Sequence, residues 1–351
     1  MNKILPLQSL RGILCMIVVL VHYTPYKELA LHNHYLAGIS VISFFILSGY
    51  VLTLNYSHKL KSFVSFISFI KKRFLRLYPL HLFFLIIFLL FEFNKYFLIT
   101  FFDLKFNSQV FKENNFETLI QNLFLLNSLS KYLSYNIPSW AVSAEFISSF
   151  LFGLSILIFR SKLIFFSIAF FIFSWFIFTI QNFSFISYLG PKAIFSCLSS
   201  YYLGSLIFFF NQNRKKFFLN NFLLQFINFI ILIFFIYTKT HTNIIIFNIS
   251  ILLLYLINID KKFFFYNFLT NKYLIFLGTI SYSIYLSHYF VYFFVTQIFR
   301  YILKLEKIDS YSNLEPDYFI YLTKLILCVA ITIFLSKFTY NYIENKFRAK
   351  S

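Results

Sequence analysis

Charged residues are scarce in this chain of 351 residues, where they make up 12% of the positions against 60% that are hydrophobic. A soluble domain is about half apolar and about a quarter charged, so this composition excludes an ordinary water-soluble protein. The mean hydropathy of +0.75 points the same way. The composition therefore predicts a polytopic membrane protein.

Cysteine and glycine are also rare, with three and seven residues. Cys15, Cys197 and Cys328 lie in separate hydrophobic segments and form no C-x-x-C pair, which indicates small core residues and excludes a disulfide framework. No Pro/Gly/Ser-rich linker and no repeat of fixed period interrupts the chain. We therefore expect one transmembrane domain over residues 1–351, with no appended soluble domain and no metal.

Hydrophobic stretches recur along the chain, each near the roughly 20 residues that a membrane-spanning helix needs. An all-α bundle of about ten transmembrane helices follows, with both termini on one side. That side carries about twice as many Lys and Arg residues as the other, so the positive-inside rule makes it cytoplasmic. This distribution explains the formal charge of +19 without a nucleic-acid partner. The predicted spans are residues 8–25, 36–54, 77–93, 139–159, 163–180, 193–210, 217–236, 243–258, 273–300 and 317–340.

The first span carries Arg11 and His22 in an otherwise apolar run. Ionisable groups inside a bilayer cost several kcal/mol, so each is a candidate for function. Eleven residues at about 100° each bring His22 to within roughly 20° of the face of Arg11, roughly 16 Å away along the axis. One helix face thus presents a fixed cation near one membrane surface and a titratable base near the other. The plainer alternative is a surface anchor and an interfacial histidine.

A basic run, Lys71–His81, leads into the third span, after an amphipathic stretch, Lys59–Phe69, that we expect on the inner surface. Arg73 and Arg76 are three residues apart and therefore share a helix face. A guanidinium group binds phosphate oxygens in pairs, so these two could hold the phosphates of a nucleotide-like donor from the cytosol. A lipid-headgroup anchor is the alternative.

Two more polar groups are expected in the outer half of the membrane. Glu145 is the only acidic residue well inside a predicted span, roughly 10 Å from the outer end of its helix. His288 lies roughly 22 Å from the inner start of the ninth span, and it forms a polar stripe with Ser281 and Tyr285 at spacing i, i+4, i+7. We therefore group Glu145 and His288 with His22. A structural carboxylate and a packed histidine are the alternatives.

The segment around Gly49 in the second span favours close helix packing rather than chemistry. The longest outward loop is expected at residues 94–138, where residues 117–130 are apolar at helical spacing and would lie on the membrane surface or re-enter it.

In chain order these motifs resemble those of the acyltransferase 3 family of integral-membrane O-acyltransferases, and the resemblance covers nearly the whole chain. It implies ten spans with both ends inside, and transfer of an acyl group, most often acetyl from acetyl-CoA, to a hydroxyl of a cell-surface glycan such as O-antigen or exopolysaccharide. The cell location implied is the inner (cytoplasmic) membrane. The matching motifs are Leu7–Gly12 with His22, Phe44–Tyr50, Lys72–Pro79, Ser139–Glu145, Ile280–His288 and Tyr342–Arg348.

By this resemblance His22 would be the general base or a transient acyl carrier, a role suited to an imidazole, which titrates near neutral pH. Glu145 or His288 would orient it or carry the proton away. The phosphates of the acyl-CoA would be bound by Arg11, Arg73 and Arg76. The supporting residues that the resemblance implies are Ser48, Gly49, Trp140, Ser143, Ser281, Tyr285 and Glu344.

The chain departs from the family pattern at Lys346, where the last motif usually has proline, so a different C-terminal turn is expected. Two other functions remain open. A transporter or flippase of a lipid-linked glycan would use the same polar midplane. Such proteins often show internal repeats and broken Gly/Pro helices, and this sequence shows neither clearly. A glycan polymerase or ligase would gather its chemistry in large outward loops. The acceptor, the acyl group beyond acetyl, and the oligomeric state are left open.

Overall fold

The fold is described from a computed structural model of the chain. It describes residues 4–23, 27–103, 109–132, 135–180, 189–212, 230, 242–258, 264–299, 303 and 318–348. The seventh predicted span, residues 217–236, falls outside these ranges except at residue 230. The statements below concern the described residues alone.

Helices make up the described chain, and strands are absent from it. This confirms the all-α membrane class. Short 3₁₀ turns lie at Asn127–Leu129 and Arg160–Lys162, and a π-helical turn lies at Tyr340–Glu344. The α-helices are α1 (Leu5–Tyr23), α2 (Lys27–Tyr56), α3 (Phe63–Phe102), α4 (Phe116–Leu123), α5 (Ser139–Phe159), α6 (Leu163–Ile180), α7 (Pro191–Gln212), α8 (Thr242–Asn258), α9 (Phe264–Leu269), α10 (Lys272–Thr279), α11 (Ser281–Gln297), α12 (Tyr318–Thr339) and α13 (Asn345–Arg348).

Six helical stretches of the described chain are long and apolar enough to cross a membrane, and a seventh if α10 and α11 are taken as one bent span. One of the six covers both α5 and α6. The chain breaks between them at Arg160, which has a φ of 39°, and it reverses there. Helix α5 runs parallel to α7, whereas α6 runs antiparallel to it. The contacts that fix these directions are Ser148–Ile194 and Phe152–Tyr202 for α5, and Ser167–Ser205 and Phe178–Phe195 for α6.

The third predicted span, residues 77–93, is too short. Helix α3 is continuous for 40 residues, Phe63–Phe102, so the expected surface stretch and the span form one helix and the outward loop begins later. Ser62 starts this helix with a capping box, in which it exchanges hydrogen bonds with Ser65. Pro79 lies inside the helix without ending it. The continuous helix carries its two arginines into the bundle.

The ninth predicted span, residues 273–300, is broken rather than continuous. Helices α10 and α11 meet at 71° around Ile280. Gly278 packs directly on the backbone of Gln8 in α1, and the Ser281 hydroxyl donates to the carbonyl of Gly278 at 3.0 Å. The position of His288 therefore cannot be counted along one straight helix from residue 273.

Glycines let α2 and α7 touch backbone to backbone. A Cβ on Gly49 would overlap the backbone of Tyr201, and a Cβ on Gly204 would overlap that of Ile46. Such close approach is the usual role of small residues between membrane helices. The packing interpretation of Gly49 is therefore confirmed.

This contact predicts that Gly204→Val destabilises the bundle by about 1–3 kcal/mol, because the two helices must move apart. A lower thermal midpoint of the detergent-solubilised protein would measure the effect. Ile172→Val, at a position of α6 that is 62% exposed, serves as the control and should leave the midpoint unchanged. An unchanged midpoint in Gly204→Val would mean that α2 and α7 do not touch there.

The segment from α4 to the start of α5 packs into the end of the bundle. Asn122, Asn127 and Ser128 are buried, while Phe116 and Phe124 stay largely exposed. Of the predicted helical segment 117–130, the structure has helix α4 as far as Leu123 and the 3₁₀ turn Asn127–Leu129, and its polar side faces the protein. As a result, α5 begins below the surface of the molecule.

The C-terminal helix continues further than expected. After α12 the π-helical turn leads directly into α13, which contains Lys346. Proline there would lack the N–H that a continuing helix uses, so lysine is compatible with the extension. Glu344 is only 4% exposed within this stretch. It therefore joins Glu145 as a second acidic group inside the bundle.

Candidate active site

A cationic cavity of about 470 Å³ opens between α1, α2, α3 and α13. Its basic groups are Arg11 from α1, Arg73 and Arg76 from α3, and two residues that the sequence did not assign to the site, Lys72 and Arg348. The structure therefore brings together all three arginines predicted to bind the donor. The other polar lining residues are Gln8, Ser48, Tyr50, Asn55 and Tyr56.

Arg73 is held by protein partners rather than open to a ligand. Its Nη2 lies 2.5 Å from Oε1 of Glu145, and its Nε donates to Ser149 at 3.2 Å. The Ser149 hydroxyl lies 3.2 Å from that of Tyr201 in α7. Because Arg73 is only 5% exposed, its charge needs this carboxylate. The pair ties α3 to α5 and to α7.

Arg11 and Arg76 differ from Arg73. In the part of the chain that the structure describes, neither forms an ion pair or a side-chain hydrogen bond. Both line the cationic cavity. Glu145 and Glu344 attract Arg11 only at longer range. Their N–H groups are the donors that remain available to an anion in the cavity.

A smaller cavity of about 60 Å³ adjoins the cationic cavity, with which it shares Arg11, Arg76, Ser48 and Phe44. It leads toward α11, and its walls include Glu145 and Tyr285. Further wall residues are Phe45, Ala141, Val142, Ser281 and Tyr282. A mostly apolar passage therefore leaves the cationic cavity toward α11.

Two histidines lie together beyond this passage. The ring centroids of His22 and His288 are 5.0 Å apart, and the ring of Tyr285 lies 5.8 Å from that of His288. Nδ1 of each histidine forms a hydrogen bond with a backbone carbonyl. His22 bonds to the carbonyl of Val18 at 2.7 Å, and His288 bonds to that of Tyr285 at 2.6 Å. A carbonyl only accepts, so Nδ1 carries the proton and Nε2 is the basic nitrogen in both rings.

The site thus has two parts, the cationic cavity and the histidine pair, and both include a residue of α1. Arg11 lies at the cationic cavity, and His22 lies eleven residues later, roughly 16 Å along the axis. The smaller cavity and Tyr285 fill the interval. An elongated ligand with an anionic head and a narrow arm would fit this shape.

The acyltransferase 3 family model, which describes an acyltransferase domain, matches residues 6–340, nearly the whole chain. The chain belongs to the acyltransferase 3 family. It is therefore a membrane protein that transfers acyl groups. No curated protein and no solved structure matches the chain significantly.

The sequence predicted Glu145 at the level of the two histidines. The structure of this acyltransferase has it elsewhere. It pairs with Arg73 and lines the smaller cavity. The prediction took Ser139 as a surface residue and measured the depth of Glu145 from it. Ser139 is fully buried beneath the α4 segment, where its hydroxyl accepts a hydrogen bond from Asn127 at 2.9 Å. The whole N-terminal end of α5 is therefore set into the protein.

The supporting residues of the acyltransferase divide by what they contact. Ser48, Ser281 and Tyr285 line the cavities. Ser143 donates to the carbonyl of Leu125 at 2.6 Å and so fixes the α4 segment to α5. The remaining contacts are Gly49 on Tyr201, Trp140 edge-on to Phe45, and the Glu344 carboxylate accepting from Ser283 at 2.8 Å.

Sequence reasoning missed Lys72 and Arg348 as residues of the acyltransferase cavity. Arg348 carried a signal, since it follows Glu344 by four residues and shares its helix face. Lys72 carried none, because a lysine beside Arg73 is equally typical of a lipid anchor. Across the described ranges, no group of three or more His, Cys, Asp or Glu residues could hold a metal ion.

Proposed function

We propose that this acyltransferase moves an acyl group, most simply acetyl, from cytosolic acyl-CoA to a hydroxyl of a cell-surface glycan such as O-antigen or exopolysaccharide. The observation that carries the proposal is the pairing of a cationic cavity at Arg11 with a histidine pair at His22, at two depths of one helix. We further propose that the protein lies in the inner membrane. The cavity would open to its cytosolic side, which the distribution of Lys and Arg residues favours.

The donor head group would bind at the cationic cavity. Arg11 and Arg76 offer N–H groups to the phosphates of CoA, and guanidinium–phosphate hydrogen bonds are among the strong ones. Lys72 and Arg348 add positive charge at the same wall. The acyl-carrying arm would extend through the smaller cavity past Tyr285. This arrangement would bring the thioester to the histidines while the nucleotide part stays in the cytosol.

His22 would act as the general base at the far end. The hydroxyl oxygen of the acceptor attacks the thioester carbonyl carbon, and a C–O bond forms as the C–S bond breaks. The hydroxyl proton passes to Nε2 of His22 and then to the departing CoA thiolate. His288, whose ring centroid lies 5.0 Å away, supplies a second basic nitrogen beside the first. The Nδ1 hydrogen bond to Val18 keeps Nε2 of His22 free of its own proton.

Arg76→Ala should raise the Kd of acetyl-CoA by about tenfold, because a hydrogen bond to a charged group is lost. Isothermal titration with the purified protein measures this. The same variant should bind acetyl-pantetheine, which lacks the nucleotide phosphates, as well as the wild type does. Lys162→Ala, an exposed cation outside the cavity, is the control. An unchanged Kd for acetyl-CoA would make Arg76 a lipid anchor.

The function itself is tested by incubating purified protein with radiolabelled acetyl-CoA and surface glycan. Label that enters the glycan as an alkali-labile ester supports the proposal. A transporter or flippase would leave the glycan unlabelled while moving it across reconstituted vesicles. The break at Ile280 is an observation that favours this second function, since broken helices line transport paths.

A further inference from the structure

Asn136 lies just before α5 and is only 2% exposed. Its Nδ2 donates to the backbone carbonyl of Leu286 at 3.0 Å. Because that carbonyl only accepts, the amide orientation is fixed by chemistry, and Oδ1 must be the other end. This Oδ1 is buried and has no hydrogen-bond partner. It is an acceptor atom in need of a donor.

His288 has the same deficit on the adjacent helix. The residue is fully buried, and with Nδ1 committed to Tyr285 its Nε2 is an acceptor. This Nε2 also has no hydrogen-bond partner. Buried polar atoms are nearly always paired, so two unpaired acceptors in neighbouring elements call for an explanation.

Asn136 is connected to both helices that carry the histidines. Its partner Leu286 precedes His288 by two residues on α11. About one turn after Asn136, Trp140 packs in the same apolar cluster as Val18 and Val21 of α1. Those two valines lie four residues and one residue before His22, whose ring meets that of His288. Asn136 therefore contacts the turn of α11 that carries His288, one of the two histidines at which acyl transfer is proposed.

The chemistry of these atoms limits the ligand. Both unpaired atoms accept hydrogen bonds, and neither donates. A thioester offers no O–H or N–H group at its reacting end, so the donor substrate cannot satisfy them there. A compound with several neighbouring hydroxyls carries donors of the kind that both atoms lack. Neither atom is reached by bulk solvent.

We propose that Asn136 helps to select the acceptor. Its Oδ1 accepts a hydrogen bond from a second hydroxyl of the acceptor, adjacent to the hydroxyl that is acylated. The enzyme thereby prefers vicinal diols, the pattern of a sugar ring, over single alcohols. This inference rests on the proposed acyl transfer and deepens it. Asn136 is a specificity-determining residue rather than a base, since an amide oxygen takes no proton at neutral pH.

The test compares two matched small acceptors, cyclohexane-1,2-diol and cyclohexanol, with acetyl-CoA as donor. For the wild type, kcat/KM should be about tenfold higher for the diol, because a site built to bind a hydroxyl rejects the analogue that lacks it. Asn136→Ala should bring that ratio close to one by lowering the diol value alone. Thr296→Val is the control, since the Thr296 hydroxyl is another buried, unpaired polar group, about two turns beyond His288 on α11. It should keep the wild-type ratio.

Each outcome has a distinct meaning. If Asn136→Ala lowers both acceptors alike, Asn136 only holds Leu286 and the inference is overturned. If the ratio is unchanged, a buried water alone satisfies Oδ1 and the inference is again overturned. If the wild type acylates neither alcohol nor the surface glycan, the proposed function fails. Binding of acetyl-CoA by every variant, measured by titration, shows that the fold is intact.

Discussion

His22→Ala should lower acyl transfer by about 10²–10⁴-fold while the protein still inserts and binds acetyl-CoA, because the general base is lost but the cationic cavity is untouched. The basic nitrogen is Nε2, since Nδ1 donates to Val18. The measurement is the rate of label transfer from acetyl-CoA to glycan, with donor affinity determined by titration. A rate loss without a change of Kd locates the effect in the chemistry.

Two further histidine variants sharpen this experiment. His22→Gln retains an N–H that can reach the Val18 carbonyl but supplies no base, so it should be as inactive as alanine. His58→Ala removes an exposed histidine in the turn between α2 and α3 and should be fully active. Normal activity in His22→Gln would show that His22 positions its neighbours and takes no proton.

The second large effect concerns the buried ion pair. Glu145→Leu should destabilise the protein by about 3–5 kcal/mol, because it leaves the charge of Arg73 buried without a partner. Arg73→Met should cost a similar amount. The double variant should recover most of the loss, since an apolar pair of similar volume is often neutral. Thermal unfolding in detergent measures all three.

The cycle separates a structural pair from a pair that binds the donor. Glu117→Gln, which alters an exposed carboxylate bonded only to Gln121, is the control and should change little. If the losses of the two single variants add up in the double variant, the two residues act independently. If instead Arg73→Met keeps full stability and loses donor affinity, Arg73 binds phosphate directly, as its spacing from Arg76 suggested.

Much of the site could be predicted from the sequence because its signals are local. An arginine and a histidine eleven residues apart share a face of any helix, and the structure has Arg11 and His22 on α1. The spacing of Arg73 and Arg76 likewise brings both to the cationic cavity. The membrane class followed from composition alone. Each of these conclusions needs only the helix period or the cost of burying charge.

The sequence by itself determined the membrane class, the face that joins Arg11 to His22, and the family. Only the tertiary structure decided that Glu145 pairs with Arg73, that His288 meets His22, and that the ninth span breaks at Ile280. The reason is that depth and partnership depend on how helices are set against one another. A buried start of α5 and a glycine contact between α1 and α10 shift those settings, and no helical period encodes them.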